Sequence, residues 1–125
     1  MDEQTEEQKP KILVVDDTED NLDLLAFAMK RKPVNMLRAS SGKECLVIAR
    51  REIPDIILLD IQMPEMDGYD AMKFIKNINP KIPVIAQTAF ALIDEQQRCI
   101  DFGFDDYVSK PIIFEELFKK MSRFL

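Results

Sequence analysis

The segment from Pro54 to Gly68 constrains the fold more than any other part of the chain. It contains a four-residue apolar run, Ile56 to Leu59, which lies between prolines and is followed directly by Asp60. An apolar run too short for a helix and bounded by breakers is typical of a strand buried on both faces of a parallel sheet. A carboxylate at the end of such a strand is costly to bury unless it faces a cleft or a cation, and open α/β sheets bind ligands at that edge. Asp60 is therefore the first candidate for chemistry.

The rest of the chain repeats the pattern of a short apolar run followed by helical periodicity. Strands are predicted over residues 11–15, 34–38, 56–59, 84–87 and 104–109, and a helix follows each of them. Alternation with short links predicts parallel strands joined by right-handed crossovers. The predicted fold class is therefore α/β: a flavodoxin-like, doubly wound (βα)5 sandwich whose five-stranded parallel sheet has the order 2-1-3-4-5.

Apolar residues at helical spacing predict which helix faces are buried. The predicted faces comprise Leu22, Leu25, Ala26 and Met29 in the first helix, Cys45, Leu46, Ala49 and Ile53 in the second, Ala71, Met72, Phe74, Ile75 and Ile78 in the third, and Phe114, Leu117, Phe118, Met121 and Leu125 in the last.

Composition narrows the functional classes. The length of 125 residues suits one domain, which we predict over residues 10–125. The polar segment before it, residues 1–9, is interpreted as a disordered lead-in or linker. A net charge of −6 argues against a nucleic-acid partner. The absence of histidine excludes a histidine base, a histidine metal ligand and a Ser-His-Asp triad within this chain. With no long apolar run and two isolated cysteines, we expect a cytoplasmic protein with reduced thiols and no membrane contact.

Side chains that can react or bind ligands follow four of the five predicted strands: Asp16 and Asp17, Asp60, Thr88, and Lys110. The carboxyl ends of parallel strands meet at one edge, and the predicted order puts the first and third strands side by side. Three carboxylates at close range favour a hard divalent cation such as Mg²⁺. An ammonium group and a hydroxyl beside them could bind an anion. The combination predicts phosphoryl transfer onto Asp60, giving an aspartyl-phosphate.

Taken together, four motifs resemble those of the receiver domain of two-component response regulators. They are Val14-Val15-Asp16-Asp17, Leu59-Asp60-Ile61-Gln62-Met63-Pro64, Thr88-Ala89 and Lys110-Pro111, and the resemblance covers about residues 11–125. It implies a signalling domain rather than an enzyme with an external substrate, one that catalyses only its own phosphorylation and slow dephosphorylation.

The resemblance also implies individual roles at the site. Asp60 would be the phosphoacceptor. Asp17 would bind Mg²⁺ directly, Asp16 directly or through water, and Gln62 through its backbone carbonyl, with Mn²⁺ an acceptable substitute. Thr88 and Lys110 would contact the phosphoryl oxygens, and the Lys110–Pro111 peptide bond would be cis.

Further implications concern signalling. Tyr107 matches an aromatic residue that changes position as Thr88 moves toward the phosphoryl group, which alters the face formed by the fourth helix, fifth strand and fifth helix. The expected partner is a histidine kinase or a histidine phosphotransfer protein, and the same face could form a homodimer. Gln62 and Phe90 occupy positions that tune hydrolysis. Because Phe90 cannot orient a water molecule, we expect slow loss of the phosphoryl group.

Other interpretations of the same residues fit less well. A haloacid-dehalogenase-like phosphatase also uses an Asp nucleophile and Mg²⁺, but it usually carries a second acid where this chain has Gln62. An FMN-binding module would need a phosphate loop after the first strand, where Asp16 and Asp17 would repel phosphate. A receiver that only docks would have no need of the intact acidic residues. The polar start, the end at Leu125 and the sequence Ala86-Gln87-Thr88-Ala89 slightly favour a receiver cut from a hybrid sensor kinase.

Overall fold

Strands and helices alternate five times in the computed structural model, which describes residues 9–89 and 93–125. The elements are β1 (Lys11–Val15), α1 (Glu19–Met29), β2 (Asn35–Ala39), α2 (Gly42–Glu52), β3 (Ile56–Asp60), α3 (Gly68–Ile78), β4 (Val84–Thr88), α4 (Ile93–Phe102), β5 (Asp106–Ser109) and α5 (Phe114–Met121). All strand pairs are parallel, in the order β2-β1-β3-β4-β5. The predicted fold class and strand order are confirmed.

The register aligns the carboxyl ends of the central strands along one edge. Val15 lies opposite Leu59, and Asp60 lies opposite Gln87 on the next strand. The residue after each strand therefore emerges at nearly the same height, which is how positions far apart in sequence come to share one site.

The sheet separates two apolar layers because side chains alternate across it. Leu13, Leu59 and Ala86 belong to a cluster that includes residues of α2 and α3. Residues one position away in sequence, such as Leu58 and Ile85, face the opposite layer, which includes Leu25 of α1 and Leu117 of α5. The continuous apolar runs in β1 and β3 follow directly from this two-sided burial.

Helix termini are set by local hydrogen bonds. Ser41 Oγ accepts a bond from the Glu44 amide at 3.1 Å and so begins α2. Asp67 does the same for Asp70 at the start of α3, at 2.9 Å. Gly103, which follows α4, has a φ of +117°, a conformation that a side chain would strain. Each feature stops or starts a helix at the edge of the sheet, where the loops carry the polar residues.

Most of the predicted apolar faces are buried, but three residues are not. Phe74 is 46% exposed, Ile53 is 49% exposed and Leu125 is 53% exposed. Ile53 adopts a left-handed conformation with φ of +46° as the C-cap of α2, so it no longer continues the helical stripe. Phe74 lies next to the buried stripe of α3 rather than on it, and Leu125 lies beyond the end of α5.

Across the described part of the chain, no helix is both long and apolar enough to cross a bilayer.

Candidate phosphoryl-transfer site

Three carboxylates meet at the carboxyl edge of β1 and β3. Asp16 and Asp17 directly follow β1, and Asp60 is the last residue of β3. One oxygen from each of the three lies within 4.8 Å of the other two. Asp16 and Asp60 are buried whereas Asp17 is exposed, so the cluster opens to solvent on one side. The structure thus brings together the three acids that the sequence predicted to be neighbours.

Lys110 supplies the positive charge of the site. Its Nζ lies 2.8 Å from Asp60 Oδ2 and 3.5 Å from Asp16 Oδ2. Lys110 follows β5, its amide donates to the Thr88 carbonyl at 2.8 Å, and its peptide bond to Pro111 is cis, as the resemblance implied. The loop is therefore tied to the end of β4 while the side chain reaches across to β3.

Backbone amides orient the two buried carboxylates. The Gln62 amide donates to Asp60 Oδ1 at 3.1 Å, and the Thr18 amide donates to Asp16 Oδ1 at 2.9 Å. Asn21 Nδ2 lies 3.3 Å from Asp16 Oδ2. The amide bonds hold the Oδ1 atom of each carboxylate against the backbone. Lys110 meets the Oδ2 atoms, and it shares Asp16 Oδ2 with Asn21.

The tight packing behind Asp60 depends on Gly68. A Cβ atom at Gly68 would lie 2.7 Å from the Asp60 carbonyl oxygen and from Ile61 Cα, closer than van der Waals contact allows. The Gly68 amide also donates to the Ile61 carbonyl at 2.8 Å. Glycine therefore lets the start of α3 pack against the end of β3 and fixes the loop that carries Gln62.

Burial and charge act in opposite directions on the ionisable groups of the site. Burial raises the pKa of Asp60, the bond and charge of Lys110 partly offset this, and the charge of Asp16 adds to the rise. Burial works to lower the pKa of Lys110, but its bonds and charge interactions with Asp60 and Asp16 outweigh it and raise that pKa. The pKa of Asp60 is raised despite its ion pair because burial outweighs the contribution of Lys110, and the nearby charge of Asp16 adds to the rise.

The donor atoms fit a hard divalent cation. The acidic cluster offers only carboxylate oxygens, it faces solvent through Asp17, and its crowding would be relieved by added positive charge. Mg²⁺ prefers such an oxygen site with room for water molecules.

Thr88 and Tyr107 belong to β4 and β5, the two strands beyond β3 in the sheet. Thr88 is the buried last residue of β4 and lies opposite Ser109 of β5. The half-buried Tyr107 donates from its hydroxyl to Gln96 Oε1 of α4 at 2.8 Å. Lys120 of α5 donates to the Tyr107 carbonyl oxygen and lies 4.5 Å from the centre of its ring. Tyr107 is therefore held between the two helices that flank β5.

The three acids, Thr88 and Lys110 lie at the carboxyl ends of their strands, as the sequence predicted. Three residues near them, Gln96, Lys120 and Gln87, were not predicted. Gln96 and Lys120 lie on helices, and nothing in a one-dimensional pattern says which helical polar residue faces a given aromatic ring. Gln87 interrupts an otherwise apolar strand, a signal that could have identified it as a polar residue next to the site. Phe90, predicted to tune hydrolysis, and the predicted lead-in up to residue 8 lie outside the described residues.

Comparison of the sequence with known proteins identifies the family of the chain. The response regulator receiver domain family matches residues 12–122. The polar-differentiation response regulator DivK of Brucella ovis is 35% identical over 116 residues, which cover 91% of this chain and 94% of DivK.

Solved receiver domains share the fold. The receiver domain of the Francisella response regulator 1452 superposes with a TM-score of 0.87 at 28% identity, covering 93% of this chain and 96% of the other. The receiver domain of sensor histidine kinase PA1611 from Pseudomonas aeruginosa, which has a magnesium ion coordinated in its active-site cleft, gives 0.84 at 29% identity, covering 93% and 97%. The chain belongs to the receiver domain family of response regulators.

Proposed function

We propose that this chain accepts a phosphoryl group from a phosphohistidine onto Asp60 in a two-component phosphorelay. Phosphoacceptor activity is general to receiver domains. The observation that carries the proposal for this chain is the 2.8 Å contact between Lys110 Nζ and Asp60 Oδ2 inside a cluster of three carboxylates. A carboxylate in that position is a nucleophile with a cation beside it, which suits attack on an anionic phosphorus centre.

In the proposed transfer, a phosphorus–nitrogen bond of the donor is exchanged for a phosphorus–oxygen bond to Asp60. A carboxylate oxygen of Asp60 forms a bond to phosphorus while the phosphorus–nitrogen bond of the donor breaks. The electron pair of that bond stays on the imidazole, which leaves as a neutral group when its other nitrogen carries a proton. Because these 125 residues include no histidine, the donor phosphohistidine must lie outside this domain. Receiver domains interact with histidine kinases or histidine phosphotransfer proteins, and we infer one of these as the donor.

The acidic residues would hold the metal ion. Asp16, Asp17 and Asp60 would bind Mg²⁺ through side-chain oxygens, directly or through water, and Gln62 through its backbone carbonyl; Mn²⁺ would substitute. When bound, the ion neutralises negative charge that builds up on the transferred group. Asp16 and Asp60, both buried and bonded to backbone amides, provide rigid ligands for it.

Residues of β4 and β5 would respond to the new phosphoryl group. Lys110 would contact one phosphoryl oxygen and Thr88 another, and the movement of Thr88 would free room for Tyr107. The face formed by α4, β5 and α5 would then change its packing and meet a partner or a second copy of the chain. Phosphorylation would act by shifting an equilibrium between two packings of this face.

Incubation with acetyl phosphate and Mg²⁺, followed by intact-mass measurement, tests the assignment of the acceptor. We expect a gain of one phosphoryl group that disappears in Asp60→Asn and in the presence of a chelator. Glu65→Gln is the matched control, since Glu65 is an exposed acid in the adjacent loop and lies outside the cluster. Phosphorylation that persists in Asp60→Asn would refute the assignment.

The lifetime of the product tests the roles of Gln62 and Phe90. An apolar side chain at position 90 cannot orient an attacking water molecule, so we expect loss of the phosphoryl group to be slow and to speed up in Phe90→Glu. The decay of the phosphorylated mass after removal of acetyl phosphate measures both rates. Fast decay that is unchanged in Phe90→Glu would contradict this role.

A further inference from the structure

Gln87 is a buried polar residue that the proposed reaction does not use. It is fully buried in β4 and pairs in register with Asp60. Its Nε2 lies 3.4 Å from the Val15 carbonyl oxygen, a long hydrogen bond. Within residues 9–89 and 93–125, its Oε1 is the one buried side-chain nitrogen or oxygen that has no hydrogen-bond partner. Native structures rarely leave such an acceptor unsatisfied, so its role requires an explanation.

The surroundings of Gln87 provide the explanation. Ile85, two residues earlier on β4, packs in the apolar layer of α1 and α5, and side-chain alternation puts Gln87 on the same side. A small cavity of about 110 Å³ lies there between α1 and the loop after β5. Gln87 lines it together with Lys110, and so do Asn21 and Pro111. The residue with the unsatisfied acceptor and the lysine of the site thus line the same small cavity.

The size and polarity of the cavity suit water. One water molecule needs roughly 10–15 Å³ of such space, together with two or more polar partners. The cavity exceeds that volume several times over. Lys110 has three ammonium protons to donate, and the carboxylates of Asp60 and Asp16 account for two. The third proton and the Gln87 acceptor complement each other.

We propose that Gln87 is a positioning residue for Lys110, and that a water molecule in this cavity joins Gln87 Oε1 to Lys110 Nζ. The bridge satisfies the buried acceptor and holds the ammonium group at the edge of β3, where it contacts Asp60. The effect of the water bridge on phosphoryl transfer rests on the proposed function above. The existence of the bridge does not depend on that function.

Two structural measurements test the bridge without reference to activity. A high-resolution crystal structure is expected to show an ordered water within hydrogen-bond distance of both Gln87 Oε1 and Lys110 Nζ. In ¹⁵N-resolved NMR spectra, Lys110 is expected to give an ammonium signal with slow proton exchange, and this signal should be lost in Gln87→Met. A dry cavity with Oε1 unsatisfied, or an ammonium signal indifferent to Gln87→Met, would overturn the proposal.

Kinetics test the positioning role. Methionine matches glutamine in length and volume but is a weak acceptor, so Gln87→Met keeps the packing and removes the bridge. We expect the rate constant for phosphorylation by acetyl phosphate to fall about tenfold, the effect of losing a hydrogen bond to a charged group. Ile112→Val, which alters the same cavity wall without touching a polar group, is the control and should keep the rate of the unmodified protein.

The outcomes separate the two proposals. If the protein with glutamine at position 87 is phosphorylated and the Gln87→Met variant is phosphorylated equally fast, the positioning role is wrong and the proposed function stands. If the unmodified protein is not phosphorylated, the proposed function fails, while the crystal structure and the ammonium signal still decide the bridge. Gln87→Leu provides a second apolar substitution, expected to behave like Gln87→Met, should the methionine variant fold poorly.

Discussion

At the scale of single residues, the ionised form of Asp60 is unfavourable in the folded protein because its carboxylate is buried. Burial raises the pKa of this carboxyl group in the folded protein, and the charge of Asp16 adds to the rise. A raised folded pKa means that the native state holds its proton more tightly than the unfolded chain does. Stability is therefore highest below the unfolded pKa and falls as the pH rises through the folded value. The contribution of Asp60 to the stability of the metal-free protein should therefore be lost between acidic and neutral pH.

Asp60→Asn tests this charge because asparagine resembles the protonated acid. In the presence of a chelator we expect the variant to be more stable than the unmodified protein near neutral pH, by on the order of 1 kcal/mol, and equally stable near about pH 3, below the unfolded pKa of an aspartate. Urea unfolding at both pH values measures the difference. Lys110 stays protonated in both states throughout this range, so its raised pKa does not disturb the comparison. A variant less stable at neutral pH would show that the ion pair outweighs burial.

At the scale of elements, Tyr107 connects β5 to both neighbouring helices. Its hydroxyl bonds to Gln96 of α4, and its carbonyl accepts from Lys120 of α5. If an inward movement of Tyr107 accompanies phosphorylation, the Gln96 bond must break first and therefore favours the resting packing. Gln96→Leu should strengthen binding of beryllofluoride, a phosphoryl mimic, by about fivefold, as expected for loss of one hydrogen bond.

Tyrosine fluorescence can follow this titration because the chain contains two tyrosines and no tryptophan. Gln97→Leu is the control, since Gln97 is exposed on the same helix and bonds to Asp101 instead of Tyr107. Equal affinities in Gln96→Leu and the unmodified protein would remove Gln96 from the switching mechanism.

The elements also show what the sequence could and could not predict. Apolar runs located β1 and β3 because burial on both faces favours apolar side chains, and this in turn located Asp16 and Asp60 at the strand ends. Helical periodicity was less exact. Ile53 fits the stripe of α2 in sequence, yet the chain turns left-handed there and exposes it. The Tyr107–Gln96 bond depends on how α4 is rotated against β5, which spacing alone does not determine.

At the scale of the whole molecule, a bound cation should stabilise the fold. The chain carries a net charge of −6, and three of its acids converge on one edge of the sheet. A ligand that binds only the native state stabilises it in proportion to the logarithm of its concentration, by about 2.7 kcal/mol at a hundred times its dissociation constant. Millimolar Mg²⁺ should therefore raise the thermal midpoint, and Mn²⁺ should do the same.

Substitution of Asp17 and of Asp20 distinguishes Mg²⁺ binding at a specific site from a general effect of Mg²⁺ on the net charge of the protein. Asp17 belongs to the carboxylate cluster, whereas Asp20, also exposed, lies in the first turn of α1 and does not belong to it. Both substitutions by asparagine remove one negative charge, so they change the overall field alike. We expect Asp17→Asn to abolish most of the Mg²⁺-induced rise and Asp20→Asn to retain it, as measured by thermal unfolding with and without Mg²⁺. If both variants kept the full rise, the ion would act through the net charge of the molecule, because a site built on Asp17 could not survive its loss.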